Sequence, residues 1–467
     1  MGGIRVFALA DDLSGAAEVA AVLMSPERPA RITLSASSPG PEPVHVTDLD
    51  CRHHPQTFDL VREALGHAAG RHVFVKIDSL LRGNVPATVS AAAVTAAAAV
   101  PGAAAATAAA DSRAAATTAV ASAAVVVLAP ALPSAGRTVV GGVPYVRGVR
   151  LRETRAWHAE PGPALAPASV TDLLDGTPWF PVPLAVIRAG HQALSDALGA
   201  AGNRVAVCDT ETDADLDAIV AATLRGAGGG SACFIGAGGL AAALGRALDG
   251  AASSPAAAPA TDPGTTPPTT GPPTTGPAAI TPVPPCPDPS LLIVVGTAAP
   301  AAIEQVELLL DHGTIPVTLD ATDLATTPPP PTAARRVRQA LATGPAAVLT
   351  IKGAAPPALV AARLAGIVRE ALHGPAPGPT SDLVLTGGET ARRVLEALDV
   401  RELIPVAQIH HGAVHSRTPQ GRSVVTRPGS FGEPDSLLRI AAHLKPHRFP
   451  AEQAPADPRK RRIEGTK

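Results

Sequence analysis

Between positions 76 and 84 the chain reads KIDSLLRGN, which sets two cations, a carboxylate, a hydroxyl, a glycine and an amide in one short stretch. Lys76, Asp78, Ser79, Arg82, Gly83 and Asn84 are its chemistry-bearing positions. Such a set suits an anionic, hydroxyl-rich ligand, because the cations meet its charge while the carboxylate and amide meet its hydroxyls. A second constellation, Asp11-Asp12, closes the first apolar run. Two adjacent carboxylates repel each other unless a cation or a hydroxyl-rich ligand uses both, although Asp12 or Ser14 alone reads equally well as a helix cap. Arg52 and Arg137 each follow an apolar run, and a guanidinium grips a carboxylate or phosphate with two parallel hydrogen bonds. His53 and His54, beside Arg52, lack a matching ligand pair, so no metal site is expected there.

A different chemistry is written in the last third of the chain. Thr297 and Ala299 follow one apolar run, Thr386-Gly387-Gly388-Glu389-Thr390 a second, and Gly429-Ser430 with Gly432 a third. Glycines after a strand let an anion approach the backbone, and the free N–H groups of a following helix face it. Any one of these turns is equally well a tight strand-to-helix connection. No GxxxxGK[ST] occurs, so phosphate binding of the P-loop type is excluded, and the first turn, ALADDLSG, lacks the GxGxxG of a dinucleotide-binding dehydrogenase.

These turns need strands to carry them. Apolar, partly β-branched runs read as buried strands at 4–10, 31–34, 44–47, 73–75, 125–128, 184–187, 204–209, 232–235, 291–295, 316–319, 346–351, 382–386 and 424–426. Helical stretches alternate with them, which predicts two Rossmann-like α/β domains with mostly parallel sheets. In such sheets ligands bind at the carboxyl ends of the strands. Residues 251–288 hold 12 prolines and almost no charge, so they read as a linker between domains at 1–250 and 289–448. Residues 91–124 contain 21 alanines and read in part as an insertion. The basic tail at 449–467 reads as disordered.

Composition sets outer limits. A net charge of −2 gives no support for a nucleic-acid or membrane-surface partner. The four cysteines form neither CxxC nor a zinc pattern, and the amino terminus enters a strand without a long apolar leader, so a cytoplasmic location is expected.

The order of the motifs is more specific than any one of them. ADDLSGA, KIDSLLRGN, APALPSAGRT, VVGTAAPA, LVLTGGETA and VTRPGSFGEPDSL together resemble the four-carbon acid sugar kinase family, over about 4–248 and 290–445. The resemblance implies an ATP-dependent kinase, with Mg2+, acting on erythronate, threonate or their 3-oxo forms. The sugar acid would lie in the first domain and ATP in the second, with transfer across the cleft and a homodimer allowed. It implies catalytic roles for Asp12, Lys76 and Asp78. Asp11, Arg52, Ser79, Arg82, Gly83, Asn84 and Arg137 would hold the sugar acid, with Arg52 and Arg82 clamping its carboxylate. Thr297, Ala299, Thr386, Gly387, Gly388, Glu389, Thr390, Gly429, Ser430 and Gly432 would hold the nucleotide. The chain departs from the family pattern at 296–299, where serines are favoured, at Gly236-Ala237, at 408–412, and at Arg427, where lysine is favoured. The alternative from another class is a non-catalytic sugar-acid or nucleotide sensor on the same fold.

Overall fold

The computed structural model describes residues 4–68, 70–98, 123–154, 157, 166–174, 176–227, 231–253, 289–297, 299–321, 331–353, 355–374, 381–429 and 432–450. Most of the expected insertion, linker and tail, and Ser430, lie outside the described residues.

The amino-terminal half contains β1 (Val6–Ala10), β2 (Ala30–Thr33), β3 (Val44–Asp48), β4 (His72–Lys76), β5 (Ala123–Ala129), β6 (Arg137–Val140), β7 (Val143–Val146), β8 (Val149–Arg150), β9 (Trp179–Val182), β10 (Val205–Cys208) and β11 (Ser231–Gly236). Its helices are α1 (Leu13–Leu23), α2 (Thr57–Leu65), α3 (Val85–Ala98), α4 (Leu184–Arg188), α5 (His191–Ala201), α6 (Asp213–Gly226) and α7 (Gly238–Ser253). The order β2-β3-β1-β4-β11-β5-β10-β9 is parallel throughout, and β6-β7-β8 form a separate antiparallel meander. Every residue of β1 and β11 is buried, as expected of parallel strands covered on both faces.

The second half contains β12 (Ser290–Val295), β13 (Ile315–Asp320), β14 (Ala346–Lys352), β15 (Ser381–Thr386), β16 (Glu402–His410), β17 (Ala413–Arg417) and β18 (Ser423–Arg427). Its helices are α8 (Pro300–Asp311), α9 (Pro331–Thr343), α10 (Pro357–His373), α11 (Gly388–Ala397) and α12 (Ser436–Leu444). The strands β13-β14-β12-β15-β18 are parallel, and β17 and β16 extend them antiparallel.

β16 then pairs with β2 through Glu402 with Thr33 and Leu403 with Ile32, which fuses both halves into one 15-stranded sheet. On one face a single apolar cluster runs from Val6 and Leu23 through Phe234 to Leu292, Leu385 and Leu403. The opposite face carries a separate cluster in each half.

Two local expectations change. Residues 184–187 form helix α4, not a strand: Pro183 stands at its N-cap with φ −74°, and only Ile187 is buried. The strand of that region is β9, one step earlier. A four-residue apolar run does not distinguish the two states by periodicity. Residues 91–98 of the alanine-rich tract belong to α3, where Ala91, Ala92, Ala93 and Ala96 are buried.

Candidate active site

β1 leads directly into Asp11 and Asp12. Asp12 caps α1, its Oδ1 accepting from the Gly15 N–H at 2.8 Å. β3, beside β1 in the sheet, brings Arg52 onto both carboxylates. Its Nε donates to Asp11 Oδ2 at 2.8 Å and its Nη2 to Asp11 Oδ1 at 3.2 Å. The same Nη2 lies 3.1 Å from Asp12 Oδ1. Burial, aided by the Asp11 charge, pushes the Asp12 carboxyl above the ordinary range against the pull of Arg52 and Lys76.

β4 lies on the other side of β1 and delivers the 76–84 turn. Lys76 is buried, with Nζ 3.3 Å from Glu18 Oε2 on α1. Burial alone would lower its pKa, but Glu18, Asp11, Asp12 and Asp78 outweigh it and hold the ammonium above the usual lysine range. Asp78 receives Arg82 as a fork, from Nε at 2.6 Å and Nη2 at 3.1 Å. Despite its burial, that pairing together with Arg52 holds its carboxyl well below the usual range. Gly83 has φ +83°, and a Cβ there would lie 2.7 Å from the Arg52 carbonyl oxygen, so only glycine lets the two turns meet. Asn84 ties them together: its N–H donates to Arg52 O at 2.8 Å, and its Nδ2 to His54 O at 2.7 Å.

Arg137, at the start of the meander, donates from Nη1 to Ser79 Oγ. Both line a shallow hollow with Pro130, Thr138 and Tyr145. Among the described residues no carboxylate stands within ion-pair reach of Arg137, and burial pulls its pKa down. Arg52 and Arg82, by contrast, direct their forks at Asp11 and Asp78.

In the second half the expected glycine turns converge. A Cβ at Gly296 would collide with Thr390 Oγ1, and one at Gly429 would lie 3.5 Å from Gly387 Cα and 3.6 Å from Thr297 Cγ2. Gly387, with φ +88°, is the N-cap of α11, and Glu389 stands in the first turn. Thr386 is turned away, its hydroxyl donating to Val294 O at 3.2 Å. The Ala299 N–H is taken by Thr297 Oγ1 at 3.2 Å. The Arg427 guanidinium is buried and held by Gln305 Oε1 at 2.7 Å and Ser436 Oγ at 2.8 Å, near Gly432. Burial pulls its pKa down to about 10.

The two sets meet. A Cβ at Gly388 would lie 2.7 Å from Asp12 Oδ2 and 3.2 Å from Ser14 Oγ, so the first turns of α1 and α11 face each other at contact distance. Ser14 Oγ is buried with no hydrogen-bond partner among the described residues. Arg392 and Arg393 of α11 pair with Asp48 at 2.8 Å and Asp50 at 2.9 Å across the same boundary.

Glu18, Arg392 and Arg393 escape the sequence reading. Glu18 had one usable signal, being the lone carboxylate in an otherwise apolar helix. The arginines had none, because their partners lie in the other half of the chain.

Residues 6–244 match the family model of a sugar-binding N-terminal domain, and residues 292–437 that of a nucleotide-binding C-terminal domain. The chain is 28% identical over 480 residues to a D-threonate kinase of Cupriavidus necator, covering 95% of this chain and 99% of that one. It is also 28% identical over 252 residues to a D-threonate kinase of Salmonella typhimurium, covering 52% and 53%. A solved Salmonella typhimurium LT2 structure, which bears the name of a tRNA synthase, matches with TM-score 0.68 and 18% identity over 93% of this chain and 98% of that one. A solved Haemophilus influenzae structure matches with TM-score 0.62 and 17% identity over 94% and 100%. At such identities the two structures show the fold alone.

Proposed function

The chain belongs to the four-carbon acid sugar kinase family, and we propose that it transfers the γ-phosphoryl group of ATP to a hydroxyl of a four-carbon sugar acid of the erythronate, threonate or 3-oxo-tetronate type. The observation that carries this reading is the approach of Gly388 to Asp12. It sets a carboxylate of the sugar-binding half against the helix end that the nucleotide-binding half offers to phosphate. The D-threonate kinase names of the relatives support the same class of acceptor.

In the proposed reaction the acceptor oxygen attacks the γ-phosphorus, the bond to the β,γ-bridging oxygen breaks, and ADP leaves with that electron pair. Asp12 takes the hydroxyl proton. Its raised pKa suits a base, whereas Asp78 is held ionised by Arg82 and is fitted to orienting hydroxyls. Lys76 offsets charge on the moving phosphoryl group. The substrate carboxylate goes to Arg137, because the forks of Arg52 and Arg82 are already on carboxylates. The turns at Thr297, Gly387 and Gly429 converge beside the amino terminus of α11, whose free N–H groups would face a polyphosphate. Mg2+, when bound with the nucleotide, would supply positive charge that offsets the phosphates.

The test is ADP release with a panel of four-carbon sugar acids, with the phosphorylated product identified by mass. At least one member should give saturable turnover, and Asp12→Asn should lower kcat by about 10²–10⁴-fold while the fold survives. Saturable binding of the acids without turnover by any of them would move the chain to the sensor reading.

A further inference from the structure

Lys76 is a cation in an awkward place. A Cβ on Gly15, in the first turn of α1, would lie 3.3 Å from its Nζ, and its carboxylate partner Glu18 touches Gly238, which opens α7. Helix amino termini carry partial positive charge, so the first turn of α1 repels the ammonium it lies against. The Ile77 carbonyl, 3.3 Å from Nζ, supplies only a dipole. Among the described residues Glu18 is the only carboxylate within ion-pair reach of Lys76. Asp11, Asp12 and Asp78 act on it from farther away. The Glu18 carboxylate fits against α7 because Gly238 has no Cβ to exclude it.

We propose that Glu18, seated against the first turn of α7, is a positioning residue for the transfer site that anchors the Lys76 ammonium beside the first turn of α1. Glu18 touches neither substrate; it acts through Lys76. The inference rests on the role given to Lys76 above, and one of its readouts is independent of that role.

The chain has only five lysines, so the Lys76 Nζ can be followed by NMR in 15N-lysine-labelled protein without turnover. Glu18→Gln keeps the side chain's size and removes its charge. The Lys76 titration midpoint should then fall by about one pH unit or more, and Glu18→Asp should restore most of it. In the phosphotransfer assay Glu18→Gln should lower kcat roughly 10–100-fold with the KM for the sugar acid nearly unchanged. The alkaline limb of kcat should move with the NMR midpoint. An unchanged midpoint overturns the proposal. So does an unchanged kcat with a lowered melting temperature, which would make the pair a structural one. Should Glu18→Gln not fold, Gly238→Ala crowds the same carboxylate while leaving its charge, and a wild-type kcat in that variant overturns the proposal. If the wild-type chain phosphorylates no sugar acid, the kinase reading fails by itself, and the NMR arm still decides whether Glu18 anchors Lys76.

Discussion

Four arginines around the site have the same chemistry and different employment. Arg52 and Arg82 are forked onto Asp11 and Asp78, Arg392 is paired with Asp48, and among the described residues the Arg137 guanidinium hydrogen-bonds a serine hydroxyl and no carboxylate. In the proposed reaction the guanidinium with a neutral partner is the one that takes the substrate carboxylate. Arg137→Gln should therefore raise the KM for the sugar acid by about 10–100-fold, as expected for losing one charge-assisted hydrogen bond. Its kcat should change less, and steady-state kinetics over both substrates separates the two. An unchanged KM would return the carboxylate to another cation.

At the scale of elements, the site is made by turns that lock onto one another. The 76–84 turn carries Leu81 at φ +62° and Gly83 at φ +83°, and it docks on the Arg52 backbone through Asn84. This explains why a glycine and an amide stand together there. Gly83→Ala puts a methyl against the Arg52 carbonyl in a backbone region that L residues avoid. It should cost about 1–3 kcal/mol in denaturant unfolding and weaken sugar-acid binding, because Arg52 and Asn84 separate. Unchanged stability would mean that the turn can move without loss. The turns were legible in the sequence because each follows an apolar run. The β16–β17 hairpin was not: Pro405 interrupts its pattern, and a proline inside a run argues against a strand. It is tolerated because pairing with β2 ends at Leu403, so Pro405 faces no ladder partner on that side.

At the scale of the whole molecule, the halves are joined by a shared sheet, a shared apolar face and buried charge. Burial pushes the Asp48 carboxyl up to about 7, with Arg392 opposing the shift. Removing Arg392 strands that carboxyl, which is fully buried. Arg392→Ala should cost about 3–5 kcal/mol near pH 8. The deficit should shrink toward pH 5. A carboxyl whose folded pKa lies above its unfolded value binds more protons in the folded state, so its destabilising effect grows as pH rises between the two values. Denaturant unfolding at both pH values checks this, and a deficit independent of pH would show that Asp48 stays ionised.

The sequence by itself determined where strands end and which functional groups stand at those ends, because burial on both faces and turn chemistry are local properties. The 76–84 stretch, the paired aspartates and the glycine turns were all visible in that way. Only the tertiary structure decided which charges neutralise one another and that Asp12 meets Gly388. Strand order places Arg52 and Lys76 on either side of the aspartates, and the pairing of β2 with β16 brings α1 to α11. Electrostatic partnership depends on distance through space, and that distance is set by how the sheet is assembled.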